Sequence, residues 1–286
     1  MPRLGSGNEG EGDDEMNELP TREITAEEID TYQTDGIVCL RGLFDPEWVD
    51  FMRNAAEECL AAPGHQAKDL AESQKDPGRF FADTYVWTRN ESCKHFVYHS
   101  PAAKIAKAAM QVAKVNIFFD QWLIKEPGTP TRTPWHHDLP YWPVNGDHIC
   151  TVWLALDPIT TENGSVEYIK GSHRWGQRYL AQSFTGDDRY KEDLPPVPDI
   201  DSMRDELEFA QFEMEPGDCT VHHGLTVHGA PGNATGGRRR AFVTRWAGDD
   251  AVYHPRPNIM PQLAEPDLPA GAPITCDLWP QVWPTP

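Results

Sequence analysis

Trp135-His136-His137-Asp138 sets an imidazole and a carboxylate two residues apart. In an extended chain alternate side chains share a face, so His136 and Asp138 point together while His137 points elsewhere. A second imidazole from a distant strand would complete a set of three ligands, and His228 in Thr226-Val227-His228-Gly229 is the candidate. Two histidines and a carboxylate on one face of an octahedron leave positions open for a chelating cosubstrate and O₂. That is the donor set of the non-haem Fe(II) oxygenases. The same donors also suit Zn²⁺, so a zinc-dependent hydrolase is one alternative. A non-catalytic cupin-like barrel that holds a metal or ligand is the other.

Arg239 lies eleven residues past His228 and opens a run whose alternate members are Ala241 and Val243. A guanidinium facing a barrel interior beside two apolar positions needs a carboxylate partner, because an unpaired buried charge is costly. The far carboxylate of 2-oxoglutarate answers that need, and neither alternative gives Arg239 a purpose. Arg238 and Arg240 read as a solvated basic turn. The remaining histidines need no special role. His137 reads as a neighbour of the ligands or a substrate-side residue, His222 as barrel packing and His223 as a loop residue, with orienting water or substrate the alternative for either, and His173 as a turn residue. Tyr141 and Trp142 either wall the substrate pocket or pack. Phe80, Phe81, Tyr85 and Trp87 read as core, with a lid over the mouth as the alternative; Lys125 is a surface residue or a substrate contact.

The elements that must position these groups are short and β-rich from about residue 115 onward: 115–124, 149–156, 165–169, 209–214, 219–222 and 240–246. Gly, Pro, Asn and Asp punctuate them, which predicts an all-β sandwich or barrel. No βαβ alternation, GxGxxG or P-loop points to a nucleotide fold. Three helices precede the strands. Thr25-Ala-Glu-Glu28 is a capping box and Gly36 ends the first. Asp45-Pro46 opens the second and Pro63-Gly64 stops it; Ser100-Pro101 opens the third, with Ile105, Ala109 and Val112 on one face.

The 286 residues carry a net charge of −20. A polyanion repels phosphate backbones, so no nucleic-acid partner is expected. No stretch approaches the roughly 20 apolar residues of a membrane span. Six cysteines without a CxxC pair read as free thiols in a reducing cytoplasm, and no apolar leader is seen. Residues 1–20 are rich in Gly and acids and contribute −5 of the charge, which predicts a disordered acidic tail. One domain is expected over 21–286: a helical part (21–114), a jelly-roll core (115–247) and an irregular Pro-rich wrap (248–286).

Further residues extend the pattern. His136-x-Asp138-Leu-Pro-Tyr-Trp-Pro is followed by Trp153-Leu-Ala-Leu, Glu162-Asn-Gly-Ser, Gly171-Ser-His173, Pro216-Gly-Asp218, His228-Gly-x-Pro-x-Asn233 and Arg239. In order and spacing the chain resembles the phytanoyl-CoA dioxygenase family of Fe(II)/2-oxoglutarate oxygenases, relatives of ectoine hydroxylase. The resemblance implies a mainly β fold, a double-stranded β-helix or jelly roll with flanking helices. It implies Fe(II), 2-oxoglutarate and O₂ as cofactor and cosubstrates, with His136, Asp138 and His228 on the metal. Arg239 would take the C5 carboxylate of 2-oxoglutarate, Trp153 would line its pocket, and Gln121 is a further contact. Many relatives carry Ser two residues after the distal histidine, where this chain has Ala230; that hydroxyl contact is either missing or supplied elsewhere, for example by Thr151. A carboxylate at 138 argues against the halogenase branch. The implied activity is hydroxylation of a small molecule with release of succinate and CO₂. The negative charge disfavours an acyl-CoA and favours a neutral or amine-bearing metabolite.

Overall fold

The computed structural model describes residues 16–71, 78–183, 190–257, 259–260, 263 and 266–285. Among these residues the chain forms four α-helices and fourteen strands. Helix α1 (Ala26–Asp35) starts at the expected capping box, with the Glu28 amide donating to Thr25 Oγ1 and the Thr25 amide donating back to the Glu28 carboxylate. It ends at Gly36, whose φ of +73° lies in the left-handed region. In α2 (Pro46–Ala61) the Asp45 carboxylate accepts from the Trp48 amide at 2.8 Å. Helix α3 (Glu91–His99) was not expected; at nine residues its apolar face of Cys93, Phe96 and Val97 is too brief to show a period. Helix α4 (Ala102–Met110) is the one announced by Ser100-Pro101.

The strands in chain order are β1 (Ile37–Leu40), β2 (Lys68–Asp69), β3 (Phe80–Thr84), β4 (Val115–Lys125), β5 (Thr133–His136), β6 (Val144–Asn145) and β7 (Ile149–Ala155). They continue with β8 (Glu167–Ile169), β9 (Phe209–Gln211), β10 (Cys219–His223), β11 (His228–Ala230), β12 (Arg239–Ala247), β13 (Val252–Tyr253) and β14 (Gln281–Trp283). Among the described residues the larger sheet has eight strands, in the order β1-β10-β7-β12-β4-β3-β2 with β14 paired to β4. The smaller has the order β5-β11-β8-β9. Every pairing is antiparallel. This is the expected jelly roll with helices packed outside.

Strand alternation divides the larger sheet into two faces. Trp122, Ile124, Val152, Leu154, Phe242 and Trp246 point outward and bury against α2, α3 and α4; the Phe96 and Phe242 rings meet edge to face at 5.2 Å. Gln121, Leu123, Thr151, Trp153, Val243 and Arg245 occupy the intervening positions, and most of these line the barrel cavity. Opposite Arg245 and Trp246 the ladder skips Phe118, a bulge in β4 that sends both Phe118 and Phe119 into a second apolar cluster with Trp142 and Trp279.

Both ends of the chain depart from expectation. Residues 1–15 of the expected tail lie outside the described residues. Residues 16–20 make specific contacts: the Trp48 indole donates to the Asn17 carbonyl at 2.8 Å, and the Glu18 carboxylate meets His99 at 2.9 Å. The wrap at 248–286 contains β13 and β14 and buries Trp279 completely.

Candidate metal centre and cosubstrate pocket

Strands β5 and β11 are neighbours in the smaller sheet, and their register sets His228 directly opposite His136, with ring centroids 4.2 Å apart. Asp138 follows the end of β5 and opens a 3₁₀ turn, Leu139–Tyr141. Its Oδ1 stands 3.5 Å from His136 Nε2 and 3.9 Å from His228 Nε2. One ligand atom from each of the three lies within 4.8 Å of the others, and all three residues are buried.

The second nitrogens fix the tautomers. His136 Nδ1 sits 2.8 Å from the Pro134 carbonyl and His228 Nδ1 sits 2.9 Å from that of Thr226. A carbonyl only accepts, so both Nδ1 atoms carry a proton and the Nε2 atoms are the ones left to ligate. Burial first, and the neighbouring His136 and His222 next, push the His228 imidazole well below its ordinary pKa, so it is neutral. Two lone pairs thus converge on a carboxylate oxygen, an arrangement that a cation satisfies; the donor set fits Fe(II).

The second carboxylate oxygen is held as well. Thr151 Oγ1 donates to Asp138 Oδ2 at 3.2 Å, and His222 Nε2 lies 3.4 Å from the same atom. Thr151, expected as a cosubstrate contact, therefore has its hydroxyl committed to Asp138, because β7 carries it past the end of β5. His222 is more than barrel packing; its partner was hidden because β10 and the 136–138 loop are far apart in sequence. His137 points away from the trio, and its Nε2 accepts from the Tyr179 amide at 2.9 Å.

At the other end of the cavity lies Arg239. It is 2 % exposed, its Nε has no hydrogen-bond partner among the described residues, and its Nη1 reaches only the Leu123 carbonyl at 3.5 Å. Its guanidinium stands 5.4 Å from the Trp153 ring. Trp153 and Gln121 both line the cavity between the trio and Arg239, and Ala230 joins them from β11. Gly164, in the Glu-Asn-Gly-Ser run, gives Arg239 its room: a Cβ there would meet Arg239 Nη2 at 3.3 Å and the Pro231 carbonyl at 3.2 Å. Asn233 ties the approach to β12 by donating to the carbonyls of Lys125, Glu126 and Gly237. These motif residues hold loops.

Two expectations change here. Lys125 is fully buried and is not a surface residue; its Nζ donates to the Thr131 and Pro231 carbonyls and lies 4.8 Å from the centre of the Phe80 ring. Arg238 and Arg240 are not a solvated turn. Arg238 pairs with Glu57 and Glu126, and Arg240 with Asp157 and Glu57, which fastens the start of β12 to α2. The aromatic cluster at 80–87 is buried core, with Phe80 reaching the cavity from β3. Arg245 was missed altogether. It shares the parity of Arg239, Ala241 and Val243, and that parity was the signal that could have found it.

A jelly roll that gathers two imidazoles and a carboxylate beside a cavity matches the class of mononuclear non-haem iron oxygenases. The comparisons with known proteins give the family. The model of the phytanoyl-CoA dioxygenase (PhyH) family matches residues 32–241, and the chain belongs to that family. A multifunctional dioxygenase, ausE, of Aspergillus calidoustus is 32 % identical over 223 residues, 74 % of this chain and 69 % of that protein. A probable phytanoyl-CoA dioxygenase of Caenorhabditis elegans is 31 % identical over 121 residues, which span 42 % of this chain and 38 % of that protein. Among solved structures, the non-haem α-ketoglutarate-dependent carbocyclase SnoK superposes with a TM-score of 0.75 at 22 % identity, covering 92 % of this chain and 98 % of that one. The epimerase SnoN in complex with Fe³⁺, α-ketoglutarate and nogalamycin RO gives 0.70 at 23 %, covering 90 % and 97 %. These two likenesses show the fold. The chain is a 2-oxoglutarate-dependent dioxygenase that uses iron and O₂, which sets aside the zinc hydrolase and the non-catalytic barrel. None of the described helices is long and apolar enough to cross a membrane.

Proposed function

We propose that the chain oxidises a C–H bond of a small organic molecule, by hydroxylation, in the cavity between the His136-Asp138-His228 trio and Arg239. The observation that carries this reading is the buried guanidinium of Arg239, which retains a free donor and faces a cavity whose far end is a ligand trio. 2-Oxoglutarate is a diacid, and its C5 carboxylate supplies the partner that Arg239 lacks. When bound, Fe(II) activates O₂ as 2-oxoglutarate is converted to succinate and CO₂.

The chain's own residues do the rest. His136 and His228, fixed by the Pro134 and Thr226 carbonyls, hold their Nε2 atoms in place before any metal arrives. Thr151 and His222 orient the Asp138 carboxylate. Trp153 supports the Arg239 guanidinium, and Gln121 stands midway as a polar contact for the cosubstrate. Phe119, Tyr141 and Trp142 wall the cavity on the metal side and exclude water from the reacting centre.

The test is a mixture of the protein, Fe(II), 2-oxoglutarate and O₂ with a metabolite pool, read for succinate and for substrate-derived products heavier by one oxygen atom. Succinate with an oxygenated product supports the reading. Product without added oxygen, as in ring closure or epimerisation, replaces hydroxylation with another outcome at the same site, and no succinate overturns the proposal.

A further inference from the structure

Arg245 is a buried guanidinium of the cavity wall that the reading above does not use. It sits on β12 six residues beyond Arg239 and on the same inward face, about 20 Å further along the strand. Its ladder partners are Thr151 on β7, whose hydroxyl holds Asp138, and Phe119 on β4. Arg245 therefore stands at the level of the ligand trio, while Arg239 stands at the far end.

Among the described residues no anion is bonded to it. The residue is 7 % exposed, and its Nε and Nη1 have no hydrogen-bond partner among the described residues. The guanidinium lies 4.5 Å from the centre of the Phe119 ring, so an aromatic face supports it without satisfying its donors. Asp138 and the buried Asp120 attract it through space, but neither is hydrogen-bonded to it among the described residues: the Asp138 oxygens are engaged with Thr151 and His222 and face His136 and His228, and Asp120 Oδ2 accepts from the Trp87 amide. Both carboxylate-binding edges of the guanidinium fork, Nε with Nη2 and Nη1 with Nη2, retain a free donor. The β-bulge at Phe118 lies immediately beside Arg245, and bulges of this kind re-aim side chains next to active sites.

We infer that Arg245 recognises a carboxylate of the substrate, so that the substrate is an apolar or aromatic carboxylic acid held with its acid group near the metal ligands and its body against Phe119, Tyr141, Trp142 and Met260. This rests on the oxygenase reading, in which 2-oxoglutarate occupies the stretch from the trio to Arg239. It also reverses the expectation of a neutral or amine-bearing substrate drawn from net charge. A charge of −20 spread over the chain acts weakly through solvent, whereas a desolvated cation in the cavity acts at contact distance.

The same chemistry could be met by the C1 carboxylate of 2-oxoglutarate, and the experiment separates the two. Protein loaded with Mn(II) and 2-oxoglutarate, which does not turn over, is titrated calorimetrically with 3-phenylpropanoate and indole-3-acetate and with the primary carboxamide of each. Wild type, Arg245→Met and Arg245→Lys are compared, with near-ultraviolet circular dichroism as the folding control. At least one acid should bind wild type about tenfold more tightly than its amide. The preference should vanish in Arg245→Met and return in part in Arg245→Lys, which keeps the charge without the fork. The affinity for 2-oxoglutarate itself should change less than about threefold across the three proteins. The inference is overturned if no acid outbinds its amide, if Arg245→Met keeps the preference, or if Arg245→Met loses 2-oxoglutarate. Failure of wild type to bind 2-oxoglutarate would overturn the oxygenase reading instead.

Discussion

Lys125 and Arg239 are cross-strand partners on β4 and β12, two buried basic side chains side by side at one end of the barrel. Lys125 spends its ammonium on two backbone carbonyls, while Arg239 keeps a free donor toward the cavity.

Arg239→Ala should weaken 2-oxoglutarate binding about a hundredfold, on the order of 3 kcal/mol, as for other truncated buried charge pairs. Arg239→Lys should recover only part of this. Arg238→Ala and Arg240→Ala, which lose ion pairs to α2 and Asp157, should alter the melting temperature more than the cosubstrate affinity. Calorimetric titration of each iron-loaded variant checks the ranking; a sensitive Arg240 with an indifferent Arg239 would contradict it.

Burial first, then the charges of Arg239 and Arg132, push the Lys125 ammonium down to about 6. The unfolded chain binds this proton far more tightly, near pH 10. Below pH 6 both states are protonated and the penalty is full. As pH rises from 6 toward 10 the folded lysine is already neutral, and stability increases. The difference in melting temperature between wild type and Lys125→Met should therefore move in favour of wild type from pH 6 to pH 9. A difference that is flat or moves the other way would show that Lys125 does not titrate as its burial requires.

His136→Ala, Asp138→Ala and His228→Ala should each weaken Fe(II) binding by more than about a hundredfold while the barrel still folds, and Thr151→Val, which only frees Asp138 Oδ2, by about tenfold. His137→Ala should keep its iron and loosen the chain near Tyr179, whose amide loses its acceptor. Anaerobic metal titration with hydrogen exchange checks both. Loss of iron from the His137 variant would mean that the wrong imidazole had been assigned.

Removing residues 1–15 should leave the melting temperature unchanged. Removing 1–20 also takes away the Asn17 carbonyl that satisfies the buried Trp48 indole. Stranding that donor should cost about 1–3 kcal/mol, read as a drop of a few degrees by calorimetry. Equal melting temperatures for the two truncations would show that the contact contributes nothing.

The donor trio was legible from the His-x-Asp spacing and one distant histidine, although the turn that opens at Asp138, and not strand alternation, brings its carboxylate to His136. Arg239 was legible from strand parity, since Ala241 and Val243 mark its face. Parity extended two positions further would have found Arg245, which instead read as part of a β-rich run. Thr151 and His222 could not be placed on Asp138 from sequence, because the contact depends on how β7 and β10 pass the end of β5. Lys125 closes an eleven-residue strand, where local pattern does not distinguish a burial site from a surface. Helix α3 and the short strands β1, β5 and β14 owe their existence to packing against distant partners, and their own periodicity is too brief to announce them.

The central claim is that 2-oxoglutarate is consumed at the His136-Asp138-His228 centre. Its most direct measurement is succinate formed under O₂ by wild type and by His228→Ala, each with Fe(II) and 2-oxoglutarate. Wild type should form succinate only when Fe(II) is present, and His228→Ala should form none above the protein-free control. Equal succinate from the two proteins would contradict the claim.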